Sequence, residues 1–216
     1  MPAPRPARWD QSPGEEMANA LSHGAGFLAC LVAAPLLITG VAHHGDALNV
    51  LGAWVFSCAA CLLYLTSTVY HAFPRGRWKE RLQLLDHGAI FLLIAGTYTP
   101  FTLGALRGAW GWGLLAAVWS LAGVGIVFKA VAGMGHERFS TALYLVTGWV
   151  GVLALGPLVA ALPAQGIFWL LAGGLAYTAG VFFYVSPRIP HHHFVWHLFV
   201  LAGTACHYVA VANYAI

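Results

Sequence analysis

Charged residues are scarce in this sequence of 216 residues. They make up only 8% of the chain, against about 25% in an ordinary soluble domain. So few charges cannot cover a surface that faces water, which excludes an ordinary soluble fold. Hydrophobic residues make up 60% of the chain instead, and this excess indicates an integral membrane protein.

The apolar stretches also lack the alternation of apolar and polar residues that marks the strands of a membrane barrel. Residues 114–128, for example, read LLAAVWSLAGVGIVF, which is apolar on every face. Backbone groups in lipid must form hydrogen bonds within their own segment unless a barrel closes. The sequence therefore predicts membrane-spanning helices.

Long linkers are absent as well, and short turns separate seven apolar stretches. Each stretch is long enough to cross a hydrocarbon core about 30 Å thick, which takes about 20 helical residues. They cover residues 22–43, 47–71, 83–106, 110–130, 139–161, 166–186 and 192–214. Short connections make consecutive helices antiparallel neighbours. We therefore expect an all-α seven-transmembrane helix bundle at residues 21–216, after a short arm at 1–20 that is not a cleaved signal peptide.

Basic residues predict the orientation of this bundle. Of the ten lysine and arginine residues, only Arg107 falls on the side of the membrane opposite the N-terminus. The others are Arg5, Arg8, Arg75, Arg77, Lys79, Arg81, Lys129, Arg138 and Arg188. Because positive residues favour the cytoplasmic side, we expect a cytoplasmic N-terminus, an external C-terminus and a place in the cell's inner (plasma) membrane. Topology thus explains the net charge of +3 without nucleic-acid binding.

Polar residues are concentrated at the predicted cytoplasmic ends of four helices, where each needs an explanation because ionisable groups are costly in lipid. His71 ends the second helix, Asp86 begins the third, and His193 and His197 begin the seventh. The first helix adds a stripe on one face, composed of Glu16, Asn19 and His23. Residues from four helices therefore reach one level of the membrane.

This set of residues favours zinc. His193 and His197 are four residues apart, so one helix face can direct both imidazoles to one ion. His71 from another helix would complete three protein ligands and leave one tetrahedral position for water, as in catalytic zinc sites. Asp86 could hold or deprotonate that water, and Ser67, one turn before His71, could hydrogen-bond it or a substrate oxygen.

Simpler interpretations remain open for each of these residues. A histidine pair at this spacing is common by chance, and interfacial histidines often face lipid headgroups. Asp86 and Glu16 could be carboxylates favoured by the start of a helix, and Ser67 could bond its own backbone. His87 points about 100° away from Asp86. His207 lies about 15 Å deeper than His197, and we expect it to be a buried, hydrogen-bonded residue or part of a cavity wall.

Four motifs together resemble the hemolysin III family of bacterial membrane proteins, which is related to the progestin and adiponectin receptors and more distantly to the alkaline ceramidases. They are Glu16-x-x-Asn19-x-x-x-His23, Ser67-x-x-x-His71, Asp86 in LLDHGAIFLLIAGTYTP, and His193-x-x-x-His197. The resemblance runs from about residue 15 to the end. It implies that His71, His193 and His197 bind zinc near the cytoplasmic face, that Asp86 contacts the zinc-bound water, and that Ser67 belongs to the site.

The sequence leaves three functional hypotheses. The first is a membrane-embedded zinc hydrolase that acts on amide or ester bonds of membrane lipids, with an acyl lipid as substrate and a role in membrane lipid homeostasis. The second is a non-enzymatic membrane sensor or regulator in which zinc is structural. The third is a hemolysin-type protein that permeabilises membranes, which the mostly apolar helices do not favour.

Overall fold

The computed structural model describes residues 11–215, and every regular element in that range is a helix. The α-helices are α1 (Pro13–His44), α2 (Ala47–Ala72), α3 (Arg77–Leu103), α4 (Ala109–Ala132), α5 (Glu137–Trp149), α6 (Leu155–Ala161), α7 (Ala164–Tyr184) and α8 (His192–Tyr214). Six segments are long and apolar enough to cross a membrane, with Ala109–Ala161 counted as one of them. The prediction of an all-helical, multi-pass membrane protein is confirmed.

Helix α1 begins at Pro13 and not near residue 22, where the apolar stretch starts. The Ser12 side chain accepts the backbone N–H of Glu15, and the Glu15 carboxylate accepts the backbone N–H of Ser12. This reciprocal capping box, with proline at the first helical position, specifies a helix start. Residues 13–20 of the predicted arm are therefore helical.

The predicted helix at residues 139–161 is interrupted. A 3-10 segment, Val150–Ala154, separates α5 from α6. Pro157 lacks the N–H that a continuous helix would donate to the carbonyl of Leu153. The Tyr98 hydroxyl contacts the last turn of α5 and the 3-10 segment, since it donates to the carbonyl of Gly148 at 2.5 Å and accepts the N–H of Gly151 at 3.0 Å.

The helices form a bundle with an apolar outer surface. Helix α2 packs between α1 and α3, α8 packs against α1 and α7, and α5 packs against α3, α4 and α7. Large apolar side chains point outward, among them Leu28, Val32, Leu36, Val127, Val131, Leu175 and Phe182. An apolar exterior of this extent is suited to lipid and not to water.

An exposed ion pair joins two turns at the end of the bundle where α1 and α3 end. Asp46 caps α2 by accepting the N–H of Leu48 at 3.0 Å. Arg107 donates to both carboxylate oxygens of Asp46, at 2.5 and 2.9 Å. The pair therefore links the α1–α2 turn to the α3–α4 turn, and the guanidinium holds the pKa of the Asp46 carboxyl well below its usual value.

Candidate metal centre

Three histidines converge at the opposite end of the bundle, where α2 ends and α1, α3 and α8 begin. One ring nitrogen each of His71, His193 and His197 lies within 4.8 Å of those of the other two. His71 and His197 are 3% and 1% exposed, and His193 is half-buried. Because His193 and His197 are one helical turn apart, they share one face of α8.

The His71 ring is held from α1. Its Nδ1 lies 2.7 Å from the Oε2 atom of Glu16. Since a carboxylate only accepts hydrogen bonds, this contact puts the proton on Nδ1 and leaves the lone pair on Nε2. The Nε2 atom is buried and has no hydrogen-bond partner among residues 11–215.

The His197 ring is held from the same helix. Its Nδ1 lies 3.0 Å from the Ser22 hydroxyl and 3.3 Å from the Asn19 carbonyl oxygen. The Ser22 hydroxyl donates to that same carbonyl at 2.9 Å, so it accepts from the imidazole. This pattern again protonates Nδ1 and leaves the Nε2 lone pair free.

These residues fit a zinc ion on two counts. Neutral imidazole nitrogens are preferred zinc ligands, and three of them leave one tetrahedral position open. The Nδ1 atoms of His71 and His197 also lie within hydrogen-bonding distance of acceptors. Neighbouring residues usually fix the tautomer of a metal-binding histidine in this way. The buried Nε2 of His71, which finds no partner among the described residues, is the orphaned atom that such an ion would satisfy.

Ser67, His23 and Asp86 form a second polar group beside the histidines. The Ser67 hydroxyl lies 2.7 Å from Nδ1 of His23 and neighbours the Asp86 carboxyl. The His23 ring stacks on His197, with centroids 3.5 Å apart and planes 7° apart. All three residues line a cavity, and so do His193 and His197 of the histidine cluster.

The remaining residue of the predicted α1 stripe, Asn19, has no exposed surface. Its side-chain amide donates to the Oε1 atom of Gln11 at 2.6 Å, while its backbone carbonyl serves Ser22 and His197 as described. The structure therefore brings all three stripe residues to the histidine cluster.

Two residues of this region were missed by the sequence analysis. Ser22 holds His197, and its position three residues after Asn19 on the same helix face was a signal that could have identified it. Lys79 was counted only as a cytoplasmic charge, yet it is 1% exposed and forms an ion pair with Glu16 at 3.0 Å. No pattern within the sequence indicates that contact, because it joins α3 to α1.

Two other histidines have partners of their own. His87 contacts the carbonyl of Gln83 at 2.8 Å and the hydroxyl of Tyr184 at 3.2 Å, and it is not one of the three histidines whose nitrogens converge. His207 contacts the carbonyl of Leu170 at 3.2 Å and also lines the cavity. His207 is thus a buried, hydrogen-bonded residue in a cavity wall, as expected.

The cavity runs from the polar group into the centre of the bundle. Its polar end is formed by Asp86, Ser67, His193 and their neighbours, and the rest of its wall is mainly apolar, for example Leu63, Leu93, Phe101, Leu114, Ile167 and Leu170. From Asp86 to Phe101 the wall extends about 22 Å along α3, at 1.5 Å per helical residue. The cavity therefore joins reactive side chains to a space the length of a long acyl chain.

Comparison with known proteins identifies the family. A family model described as "Haemolysin-III related" matches residues 12–208. The chain is 44% identical to a hemolysin-3 homolog of Bacillus subtilis over 94% of its own length and 95% of that protein. It is 41% identical to hemolysin-3 of Bacillus cereus over 97% and 95%, and 28% identical to the human monocyte to macrophage differentiation factor over 98% and 89%. The chain therefore belongs to the hemolysin III family.

Proposed function

We propose that this protein is a zinc-dependent hydrolase of the membrane that cleaves an amide or ester bond of an acyl lipid. The observation that carries the proposal is the junction of two features in one cavity. One end of the cavity is lined by Asp86 and Ser67 and by His193 and His197 of the histidine cluster, and the remainder is mainly apolar. Such a space accommodates an acyl chain and presents its polar head to reactive groups.

His71, His193 and His197 would hold the ion. Zinc bound by three histidines supplies Lewis acidity and a water of lowered pKa. Asp86 would accept a proton from the attacking water and later return it to the departing amine or alcohol, so that the proton balance closes. Ser67, which lies beside the Asp86 carboxyl, would orient that carboxyl or the substrate oxygen by a hydrogen bond.

The test is hydrolysis by the purified protein. Zinc-loaded wild type in detergent should release fatty acid from at least one member of a panel of lipid amides and esters. His193→Ala should lose both zinc and activity. Asp86→Asn should keep zinc and slow the reaction by about 10²–10⁴-fold, the usual contribution of a general base.

Asp46→Asn is the matched control for Asp86→Asn, because Asp46 lies in an exposed turn at the opposite end of the bundle. It should hydrolyse lipid at the wild-type rate. Zinc-loaded wild type that is inert toward the whole panel would contradict the proposed activity.

A structural role for zinc is the second candidate, and the placement of the ligands favours it. The three histidines connect α2 with α8, so an ion bound there would hold the second and last long helices together. In that case Asp86→Asn should leave the phenotype of the cell and the stability of the protein almost unchanged, while loss of any of the three histidines should unfold the bundle. The same two variants therefore separate the two functions.

We further propose seven membrane crossings with a cytoplasmic N-terminus in the inner (plasma) membrane. Support comes from α5, which begins near the histidine cluster, where the Tyr144 hydroxyl donates to the carbonyl of His87 at 2.9 Å. Helix α7 ends at that same level, with Tyr184 against His87. In the proposed topology the chain between them passes to the other end and returns, with α5 and α6 together forming one crossing and α7 the next.

Cysteine labelling tests this topology in a variant without the native cysteines. Ala109→Cys, at the first residue of α4, should react with a membrane-impermeant maleimide on intact cells. His136→Cys, in the α4–α5 turn, should react only after the membrane is permeabilised. The reverse pattern would contradict the orientation, and labelling of both from outside would contradict the count of crossings.

A further inference from the structure

A lysine is buried next to the histidine cluster. Lys79, in the first turn of α3, is 1% exposed. Its ammonium donates to the carbonyl oxygens of Tyr70 at 3.0 Å and Phe73 at 3.1 Å, and to the backbone carbonyl of His71 at 3.4 Å. It also lies 4.8 Å from the centre of the Tyr70 ring. A buried charge with this many partners has a specific place in the structure and is not a generic surface cation.

The need for this lysine follows from how α2 ends. In a continuing helix the carbonyl of Tyr70 would accept the N–H of residue 74, but that residue is Pro74, which has no N–H. The last carbonyls of a helix also carry the negative end of its dipole, which favours a cation. The Lys79 ammonium satisfies these carbonyls, and so its position is fixed by the backbone.

The fixed ammonium also contacts a carboxylate that holds a proposed zinc ligand. Lys79 lies 3.0 Å from the Oε1 atom of Glu16, and the Oε2 atom of the same carboxylate lies 2.7 Å from Nδ1 of His71. The two oxygens of Glu16 thus have separate partners on α3 and α2. With one oxygen fixed by Lys79, the other can point only in a limited range of directions.

We propose that Lys79 is a positioning residue for the metal site, which acts through Glu16 to hold the His71 ring with its Nε2 atom toward the other two histidines. The inference rests on the proposed zinc site and adds a residue outside the motifs that identify the family. Lys79 touches neither the substrate nor the ion. Its effect is to restrict the Glu16 carboxylate and, through it, the orientation of His71.

Zinc affinity, measured by competition with a chromophoric chelator in detergent, tests the proposal independently of activity. Glu16→Ala and Lys79→Met should each weaken zinc binding by about 10–100-fold, the usual effect of losing a partner of a metal-binding histidine. Because Lys79 acts through Glu16, the double variant should bind zinc about as weakly as Glu16→Ala alone, and the two losses should not multiply.

Lys129→Met is the matched control. Lys129 is likewise a buried lysine at this end of the bundle, 2% exposed, but its ammonium contacts the Met134 sulfur at 3.8 Å. Its replacement should change zinc affinity by less than about 2-fold, well below the effect expected at a residue that holds a ligand. Should Lys79→Met fail to fold, Lys79→Gln takes its place, because its amide can still donate to the α2 carbonyls but forms no ion pair.

Several results would overturn the inference while leaving the zinc site intact. They are wild-type zinc affinity in Glu16→Ala, wild-type affinity in the folded Lys79 variant, or losses that multiply in the double variant. A Lys129→Met loss equal to that of Lys79→Met would also overturn it. Wild type that binds no zinc would instead contradict the proposed function itself.

Discussion

Helix α1 supplies no ligand to the proposed metal site, but its residues form hydrogen bonds with the Nδ1 atoms of two of the three histidines. Glu16 bonds Nδ1 of His71, and Ser22 with the Asn19 carbonyl bonds Nδ1 of His197. A ring that is free to rotate would have to be ordered when the ion binds. By fixing each ring beforehand, these contacts would raise the affinity of the proposed site for zinc.

Ser22→Ala should weaken zinc binding about 10-fold, at the lower end of the range for such partners. The loss should stay small because the Asn19 carbonyl, 3.3 Å from the same nitrogen, remains available to His197. Chelator competition on the purified variant measures the change. The control is Ser57→Ala, which removes the hydroxyl of a buried serine on α2. Equal zinc affinities in the two variants would refute this role for Ser22.

At the residue scale the sequence predicted contacts within a helix better than contacts between helices. The pairing of His193 with His197 follows from their spacing, and the stripe of Glu16, Asn19 and His23 follows from helical periodicity. The burial of Lys79 does not, because it depends on α2 ending at Pro74 and on α1 lying alongside. No spacing within one segment encodes an arrangement of three separate elements.

The break between α5 and α6 depends on a side chain from α3. The Tyr98 hydroxyl bonds the carbonyl of Gly148, in the last turn of α5, and the N–H of Gly151, in the 3-10 segment. It thereby satisfies backbone atoms that an uninterrupted helix would pair internally. The 3-10 segment borders the cavity through Gly151 and Val152, so this contact also shapes the cavity wall.

Tyr98→Phe should lower the free energy of unfolding by about 1–3 kcal/mol, because it leaves the buried N–H of Gly151 without this partner. Thermal unfolding in detergent measures the loss. Tyr214→Phe is the control, since the Tyr214 hydroxyl forms no hydrogen bond within residues 11–215. A Tyr98→Phe variant as stable as Tyr214→Phe would show that the break does not depend on this hydroxyl.

Boundaries of elements were predictable where apolar content changes sharply. Helix α8 occupies His192–Tyr214, as the apolar stretch 192–214 predicts. Helix α1 starts earlier than predicted because its first turns carry Glu15 and Glu16, whose polarity conceals the helix. The interruption at Val150–Ala154 was missed because those residues are as apolar as a continuous helix, and its causes, Pro157 and Tyr98, act from outside the segment.

At the scale of the whole molecule, the Asp46–Arg107 pair links two turns at the end of the bundle farthest from the histidines. The lowered pKa of Asp46 makes this link depend on pH. Since the folded-state pKa lies below the ordinary value of about 3.9, the pair stabilises the fold fully above that pH. The stabilisation is lost as the pH falls toward the lowered pKa.

Asp46→Asn should therefore lower Tm by about 1–3 °C at pH 7, a small effect because the pair is exposed. Asparagine still caps α2, so the substitution removes the ion pair with Arg107, including one of its two hydrogen bonds, and keeps the cap. The difference from wild type should stay constant above about pH 5 and shrink below about pH 4, where the Asp46 carboxyl of the unfolded wild-type chain begins to protonate while that of the folded chain is still ionised. Unfolding curves across this range measure it, and a difference that grows in acid would contradict the assignment.

The wide separation in sequence between His71 and the other two histidines has a consequence for biogenesis. His71 belongs to the second helix, whereas His193 and His197 begin the last one. A growing chain therefore carries a single member of the trio until its final segment enters the bilayer. Capture of zinc by all three ligands of the proposed site would therefore be among the last events of assembly.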